Sequence, residues 1–141
     1  RLIGNTTVPK KLPPLPSSQQ LGATCLQFLQ RLAEHPSKAS ATYYLKNHMQ
    51  YFLSISVSLS EISRVMRPKA RCVLVVQDSF YKDLHNDLPA IFIEMAGCNN
   101  LALIERSDFR VSRTMAGVNP RVNQYRESVS ATESVLTFRK F

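Results

Sequence analysis

Glycine is scarce in this chain. Gly4, Gly22, Gly97 and Gly117 are four residues in 141, spaced too far apart to form a glycine-rich loop that brings backbone against a ligand. Cysteine is scarcer still: Cys25, Cys72 and Cys98 are an odd number without C-x-x-C spacing, and Cys72 lies in an apolar run. Reduced thiols in an intracellular protein are therefore expected, not a disulfide framework. His35, His48 and His85 form no H-E-x-x-H or paired arrangement, which argues against a metal site. No apolar stretch approaches the roughly 20 residues that cross a bilayer, and Arg1-Leu-Ile-Gly-Asn-Thr-Thr lacks a signal-peptide core. The expectation is a cytoplasmic protein with no membrane partner. Asn5-Thr6-Thr7 matches a glycosylation sequon, a triplet common by chance, and nothing else suggests secretion. Acidic side chains are the minority, 10 against 18 basic, and the resulting net charge of +8 favours a polyanionic partner such as DNA or RNA.

What is present suffices for one domain. With 44% hydrophobic residues, a chain of this length buries roughly two thirds of its unfolded surface. Residues 1–39 read as an extended segment, rich in proline at Pro9, Pro13, Pro14 and Pro16, followed by a short amphipathic helix. In that helix Leu21, Cys25, Phe28 and Leu32 recur at helical spacing until His35-Pro36. Residues 40–141 read as an α/β unit. A long helix from about Ser40 to Met66 carries Leu45, Met49, Phe52, Ile55, Leu59, Ile62 and Met66, and Pro68 ends it. Its aromatic cluster, Tyr43, Tyr44, Tyr51 and Phe52, reads as core packing in preference to a base-stacking surface.

Cys72 to Val76 is an unbroken apolar run, the pattern of a strand buried on both faces in a parallel sheet. Ligands gather at the carboxyl ends of such strands, here Gln77-Asp78-Ser79. A polar loop from Asp78 to Asn86 is expected next. Asp87-Leu-Pro-Ala then starts a helix that stops at Gly97, expected as a left-handed terminal residue. A strand over 101–110, a long loop over 111–132 and a final strand from Glu133 complete the chain, with the last two strands pairing antiparallel.

The order of these elements and their motifs resembles the carboxyl-terminal half of S-adenosylmethionine-dependent DNA methyltransferases of the amino type. Arg64-Val-Met-Arg-Pro-Lys looks like their R-V-L-K-P-G-G turn, with Lys69 and Ala70 where glycines are usual. Val75-Val-Gln-Asp-Ser is similar to their strand tip, and Glu133-Ser-Val-Leu-Thr-Phe to their closing E-x-I-L-x-F strand. Arg1-Leu-Ile-Gly is similar to a segment that follows the catalytic motif. The resemblance covers about residues 40–141. It implies part of a Rossmann-like class I methyltransferase sheet with flanking helices and a C-terminal antiparallel strand pair. It also implies S-adenosylmethionine as cofactor of the complete enzyme, DNA as partner, and adenine N6 or cytosine N4 as target.

Two parts of that family's machinery are missing. There is no glycine-rich cofactor loop, and the only Pro-Pro, in Leu12-Pro13-Pro14-Leu15, has leucine where an acceptor and an aromatic ring are required. No catalytic residue is assigned, and methylation requires an N-terminal half, separate or covalently attached. The alternatives are an RNA methyltransferase and a noncatalytic nucleic-acid-binding subunit of the same fold. Asp78, Ser79 and Tyr81 are the candidate base pocket. Asp78 either lines that pocket or caps the following turn, and Tyr81 and Phe80 either stack on a base or sit half-buried. Arg110, Arg113, Arg121 and Arg126 either hold phosphates and guanine edges or lie solvated on the surface. Tyr125 is a further stacking candidate, and Lys10 and Lys11 read as phosphate contacts or a plain linker.

Overall fold

The computed structural model describes residues 3, 11, 17–111 and 131–141. Over these the chain is mixed α/β. A short helix α1 (Ser18–Leu21) leads into α2 (Ala23–Glu34), and a π-helical turn (Ser40–Tyr44) leads into α3 (Leu45–Val65). Strand β1 (Arg71–Gln77) is followed by a small hairpin of β2 (Ser79–Tyr81) and β3 (Leu84–Asn86), then α4 (Leu88–Gly97), β4 (Leu101–Val111) and β5 (Ala131–Lys140).

The start of α4 is built locally. Asp87 accepts a hydrogen bond from the Ala90 N–H at 3.1 Å, and Pro89 occupies the first turn, where no intrahelical donor is needed. Its end differs from expectation: Gly97 is the last helical residue, and the left-handed conformation falls on Asn100 at φ 59°. Asparagine tolerates that region better than most residues, and the turn is closed by Asn99 Nδ2 donating to Met95 O at 2.8 Å and the Asn100 backbone N–H donating to Gly97 O at 3.3 Å. Helix α2 is capped from a distance. Gly22 supplies no side chain, and the carboxylate of Glu94 on α4 accepts from Thr24 N at 2.9 Å and from Thr24 Oγ1 at 2.5 Å. A carboxylate there also complements the positive end of the helix dipole.

The main sheet has the order β1-β5-β4. β5 is antiparallel to both neighbours, so β1 and β4 run in the same direction with β5 between them. The expected pairing of the last two strands is present, Asp108 facing Ser134 and Phe109 facing Glu133, with a bulge between Leu103 and Glu105. The expectation of parallel neighbours for β1 is corrected: its partner is antiparallel β5, with Leu74 facing Leu136 and Cys72 facing Phe138. Nor is β1 buried on both faces. Leu74 and Val76 turn toward the core, whereas Val73 and Val75 are 57% and 61% exposed. A continuous apolar run carries no alternation to reveal such a one-sided strand.

Two core clusters meet at α4. Ile91 and Met95 pack with Leu21, Cys25, Phe28, Leu32, Met49 and Phe52 among the helices. Phe92 and Ala96 pack with Leu101, Leu136 and Phe138 on the sheet. Each fully buried large side chain contributes about 1.5–3 kcal/mol, so α4 joins the layers by burying two faces at once. On α3 the buried line runs Met49, Phe52, Ser56, Leu59, Ser63, with Ile55 and Ile62 only partly buried. Ser56 Oγ donates to Gln20 O at 3.3 Å, which allows α1 to approach closely. Lys140 closes the other end of α3, its Nζ donating to the carbonyls of Ser63 and Met66 at 2.6 and 2.9 Å.

Candidate functional site

The strand tip after β1 folds back on itself. Asp78 N donates to Thr132 O at 3.0 Å, Thr132 N donates to Asp78 Oδ1 at 2.7 Å, and His85 Nε2 lies 2.9 Å from Asp78 Oδ2. Both carboxylate oxygens are therefore engaged in joining β1, β5 and the β2–β3 hairpin. The polar loop expected over 78–86 is this hairpin, with Ser79 facing Asn86 and Tyr81 facing Leu84. Its turn has no glycine; Lys82 takes the left-handed conformation at φ 54°.

Ser79 lines a cavity of about 220 Å³ together with Asn86, Leu88 and, from the first turns of α3, Asn47, His48 and Tyr51. Asn86 is only 3% exposed; its Nδ2 donates to Ser79 Oγ at 3.0 Å, and its buried Oδ1 has no partner among the described residues. A buried acceptor left so costs about 1–3 kcal/mol, which makes it the most demanding group at the site. His48 is held by a bond between Nδ1 and Tyr44 O at 2.8 Å, in which the ring N–H donates, so in the neutral ring Nε2 is the lone-pair nitrogen. Burial lowers the His48 pKa below its ordinary value, only partly offset by that bond, and burial raises the Tyr51 phenol. Near neutral pH the cavity thus carries a neutral imidazole, an intact phenol and amides, with no charged side chain among the described lining residues.

Tyr81 is placed elsewhere. It is 7% exposed, its ring lies 4.7 Å from that of Tyr44 and 5.5 Å from that of His35, and its hydroxyl is 2.9 Å from Ser37 Oγ. Beside it Ser37, His35 and Asp83 form a chain: Ser37 Oγ is 2.8 Å from His35 Nδ1, and His35 Nε2 is 2.8 Å from Asp83 Oδ1. The grouping has the residue types of a nucleophilic triad but not its construction. The Ser37 backbone N–H, which an oxyanion would need, already donates to His35 Nδ1 at 3.1 Å, and Asp83 is 59% exposed. It fastens the loop after α2 to the hairpin. The hydrogen bond from His35 is the main reason the Asp83 carboxyl is held below its ordinary pKa.

Arg110 is exposed on β4 opposite Thr132, two residues beyond Asp108, whose carboxylate accepts from Arg106 Nε and Ser134 Oγ. Arg113, Arg121, Arg126 and Tyr125 lie outside the described residues, as do Lys10 and the Pro13-Pro14 pair. No three His, Cys, Asp or Glu side chains among the described residues are grouped to hold a metal ion. No helix among them is long and apolar enough to cross a membrane.

Nor do the described residues fit S-adenosylmethionine. Of the two described glycines, Gly97 ends α4 and Gly22, at φ 81°, is closed over by the Glu94 side chain, so neither opens a backbone cradle. No family model matches this chain, and no curated protein or solved structure matches it either.

Asn47, His48, Tyr51 and Asn86 were not among the candidates from sequence. The signal for three of them was there: Tyr44, Asn47, His48 and Tyr51 repeat at three, four and seven residues, a polar-aromatic stripe on one helix face. Asn86 carried none, because its significance lies in what fails to meet it.

Proposed function

We propose that this chain is the carboxyl-terminal half of an amino-methyltransferase acting on adenine N6 or cytosine N4 of DNA. It supplies sheet scaffold and nucleic-acid contacts, and the complementary half supplies the cofactor loop and the catalytic tetrapeptide. The observation that carries this reading is the backbone of the Arg64–Ala70 turn. Lys69 adopts φ 64°, a left-handed conformation, at the position where the resembled R-V-L-K-P-G-G turn has its first glycine. The closing strand adds support. β5, bearing Glu133-Ser-Val-Leu-Thr-Phe, lies antiparallel against β4, the C-terminal strand pair that the resemblance implies. The net charge of +8 suits a nucleic-acid partner.

A noncatalytic nucleic-acid-binding subunit is the second reading, favoured by the missing glycine-rich loop. The test is transfer of labelled methyl groups from S-adenosylmethionine to duplex DNA, by the chain alone and with a half carrying the loop and tetrapeptide. Transfer only in the mixture is expected, with DNA affinity falling steeply as salt rises. Salt-dependent binding without transfer in the mixture would select the noncatalytic subunit. Loss of both would remove nucleic acid from the function altogether.

A further inference from the structure

We infer that β1 is the contact edge of a symmetric dimer, in which two copies of this chain pair β1 antiparallel with β1 to make one continuous sheet. The inference goes beyond the methyltransferase reading and does not depend on it. Among the described residues β1 has a partner on one edge alone, β5. Its other edge is wet on both faces. Val73 and Val75 on the outer face are 57% and 61% exposed, and on the core face Cys72 and Leu74 are only half-buried, although the residues paired with them, Phe138 and Leu136, are fully buried. An edge of this kind is a template for another strand, and proteins that keep an edge free protect it with bulges or charges. The β4 edge is protected in that way, by the bulge between Leu103 and Glu105 and by the exposed charges of Glu105, Arg106, Asp108 and Arg110. β1 pairs without a bulge and carries no charge from Cys72 to Gln77.

The sequence of β1 selects a second copy as the strand that it takes. Leu74 is the middle residue of Arg71–Gln77. An antiparallel pair centred there sets Leu74 against its own copy, Cys72 against Val76 and Val73 against Val75. Directly opposite residues share a face, so the exposed valines of one chain meet those of the other. Charge points the same way. Arg71 and Arg139 are exposed and directly opposite on β1 and β5, and neither has an ion pair among the described residues, a repulsive arrangement within one molecule. At the far end of the same face Gln77 is opposite Glu133. Antiparallel pairing of β1 brings the two arginines into the row of Gln77 and Glu133 of the other copy. Arg71 then lies beside Gln77 and two strand spacings, about 10 Å, from Glu133, within the span of an arginine side chain. Two-fold symmetry makes this contact twice and leaves only the protected β4 edges outside, so the assembly closes at two chains.

The test is sedimentation equilibrium of the full chain. A species of twice the 16.0 kDa of one chain is expected at concentrations up to about 0.1 mM. Val75→Lys, at a position already exposed in the single chain, should give the single-chain species with unchanged circular dichroism. Gln77→Glu sets a carboxylate directly against Arg71 of the other copy and should tighten the dimer by about two- to tenfold at low salt. Gln77→Lys sets like charges there and should loosen it by a similar factor. Both changes are at an exposed position, so they read the register even if Val75→Lys fails to fold. A single-chain species throughout that concentration range would overturn the proposal, as would a dimer that neither Gln77 change alters. A chain that is single alone and associates only one-to-one with the complementary half would give this edge to that half, and would overturn it too. Methyl transfer and duplex binding are separate readouts, so failure of either leaves the dimer standing, and failure of the dimer leaves them untouched.

Discussion

Ser79 and Asn86 face one another across the β2–β3 hairpin, and the amide of Asn86 donates to the serine hydroxyl at 3.0 Å while its own oxygen has no partner among the described residues. A buried pair of this kind is half satisfied. Replacing both residues by apolar ones of similar shape, Ser79→Ala with Asn86→Leu, removes the orphaned acceptor and its donor together. The double variant is expected to be as stable as the original chain or more stable by up to about 1–3 kcal/mol in urea unfolding. A clear loss of stability would mean that the amide oxygen is satisfied in solution.

Glu94 is expected to matter more for stability than an ordinary helix-surface glutamate. Its carboxylate accepts both donors of Thr24 at the start of α2. Glu94→Ala should cost about 1–3 kcal/mol in thermal or urea unfolding, because it leaves those donors uncapped. Gly22→Ala should be at least as damaging. A methyl group there would collide with the Glu94 side chain, and φ 81° is strained for alanine. Burial, and then the Glu94 charge, push the nearby Cys25 thiol up to about 12, so alkylating reagents at mildly basic pH should modify exposed Cys98 well before it.

Lys69 holds a left-handed backbone conformation that costs a residue with a Cβ roughly 1–2 kcal/mol. Its N–H donates to Lys140 O at 3.0 Å, so the turn is fixed by the neighbouring strand. Lys69→Gly relieves the strain but gains unfolded-chain entropy, leaving a net stabilisation of about 0.5–1 kcal/mol. A raised melting temperature is the expected result. A lowered one would show that the lysine side chain contributes more than its backbone costs.

His48 makes stability depend on pH in a definite direction. Burial lowers its pKa in the folded protein below the ordinary histidine value of about 6.5, so on acidification the unfolded chain takes up the proton first. The unfolded state binds more protons between the two pKa values, and the stabilisation present above about pH 6.5 is lost as pH falls through the lowered value. His48→Gln should flatten the fall in melting temperature between about pH 7.5 and pH 5.5 relative to the unsubstituted chain. Parallel curves would remove His48 as the source of that dependence.

Much of the helical framework was legible before any coordinates. Asp87 and Pro89 mark the start of α4 because a capping carboxylate and a proline act within one turn of the residues they organise. The stripes on α2 and α3 follow from the repeat of the helix itself, and Pro68 closes α3 through its own missing N–H. The pairing of β4 with β5 was readable from two neighbouring runs of strand character, together with the resemblance of the closing strand. By contrast, the hairpin at Ser79–Asn86 read as a loop because its turn uses Lys82, not glycine or asparagine, at a positive φ. Tyr44 packs on Tyr81 of the hairpin yet stays 38% exposed, because helical spacing says which residues share a face but not how completely another element covers it.

The sequence alone was enough for the helix positions, the basic character of the chain and the absence of a glycine-rich loop, since each depends on residues close together or on simple composition. Tertiary structure decided the partner of β1, the exposure of Val73 and Val75, the cavity and the unpaired oxygen of Asn86. Those depend on which distant segments come within hydrogen-bond reach. A periodic pattern records the shape of one element, but whether a buried amide finds a donor is settled only when every neighbouring element has taken its place.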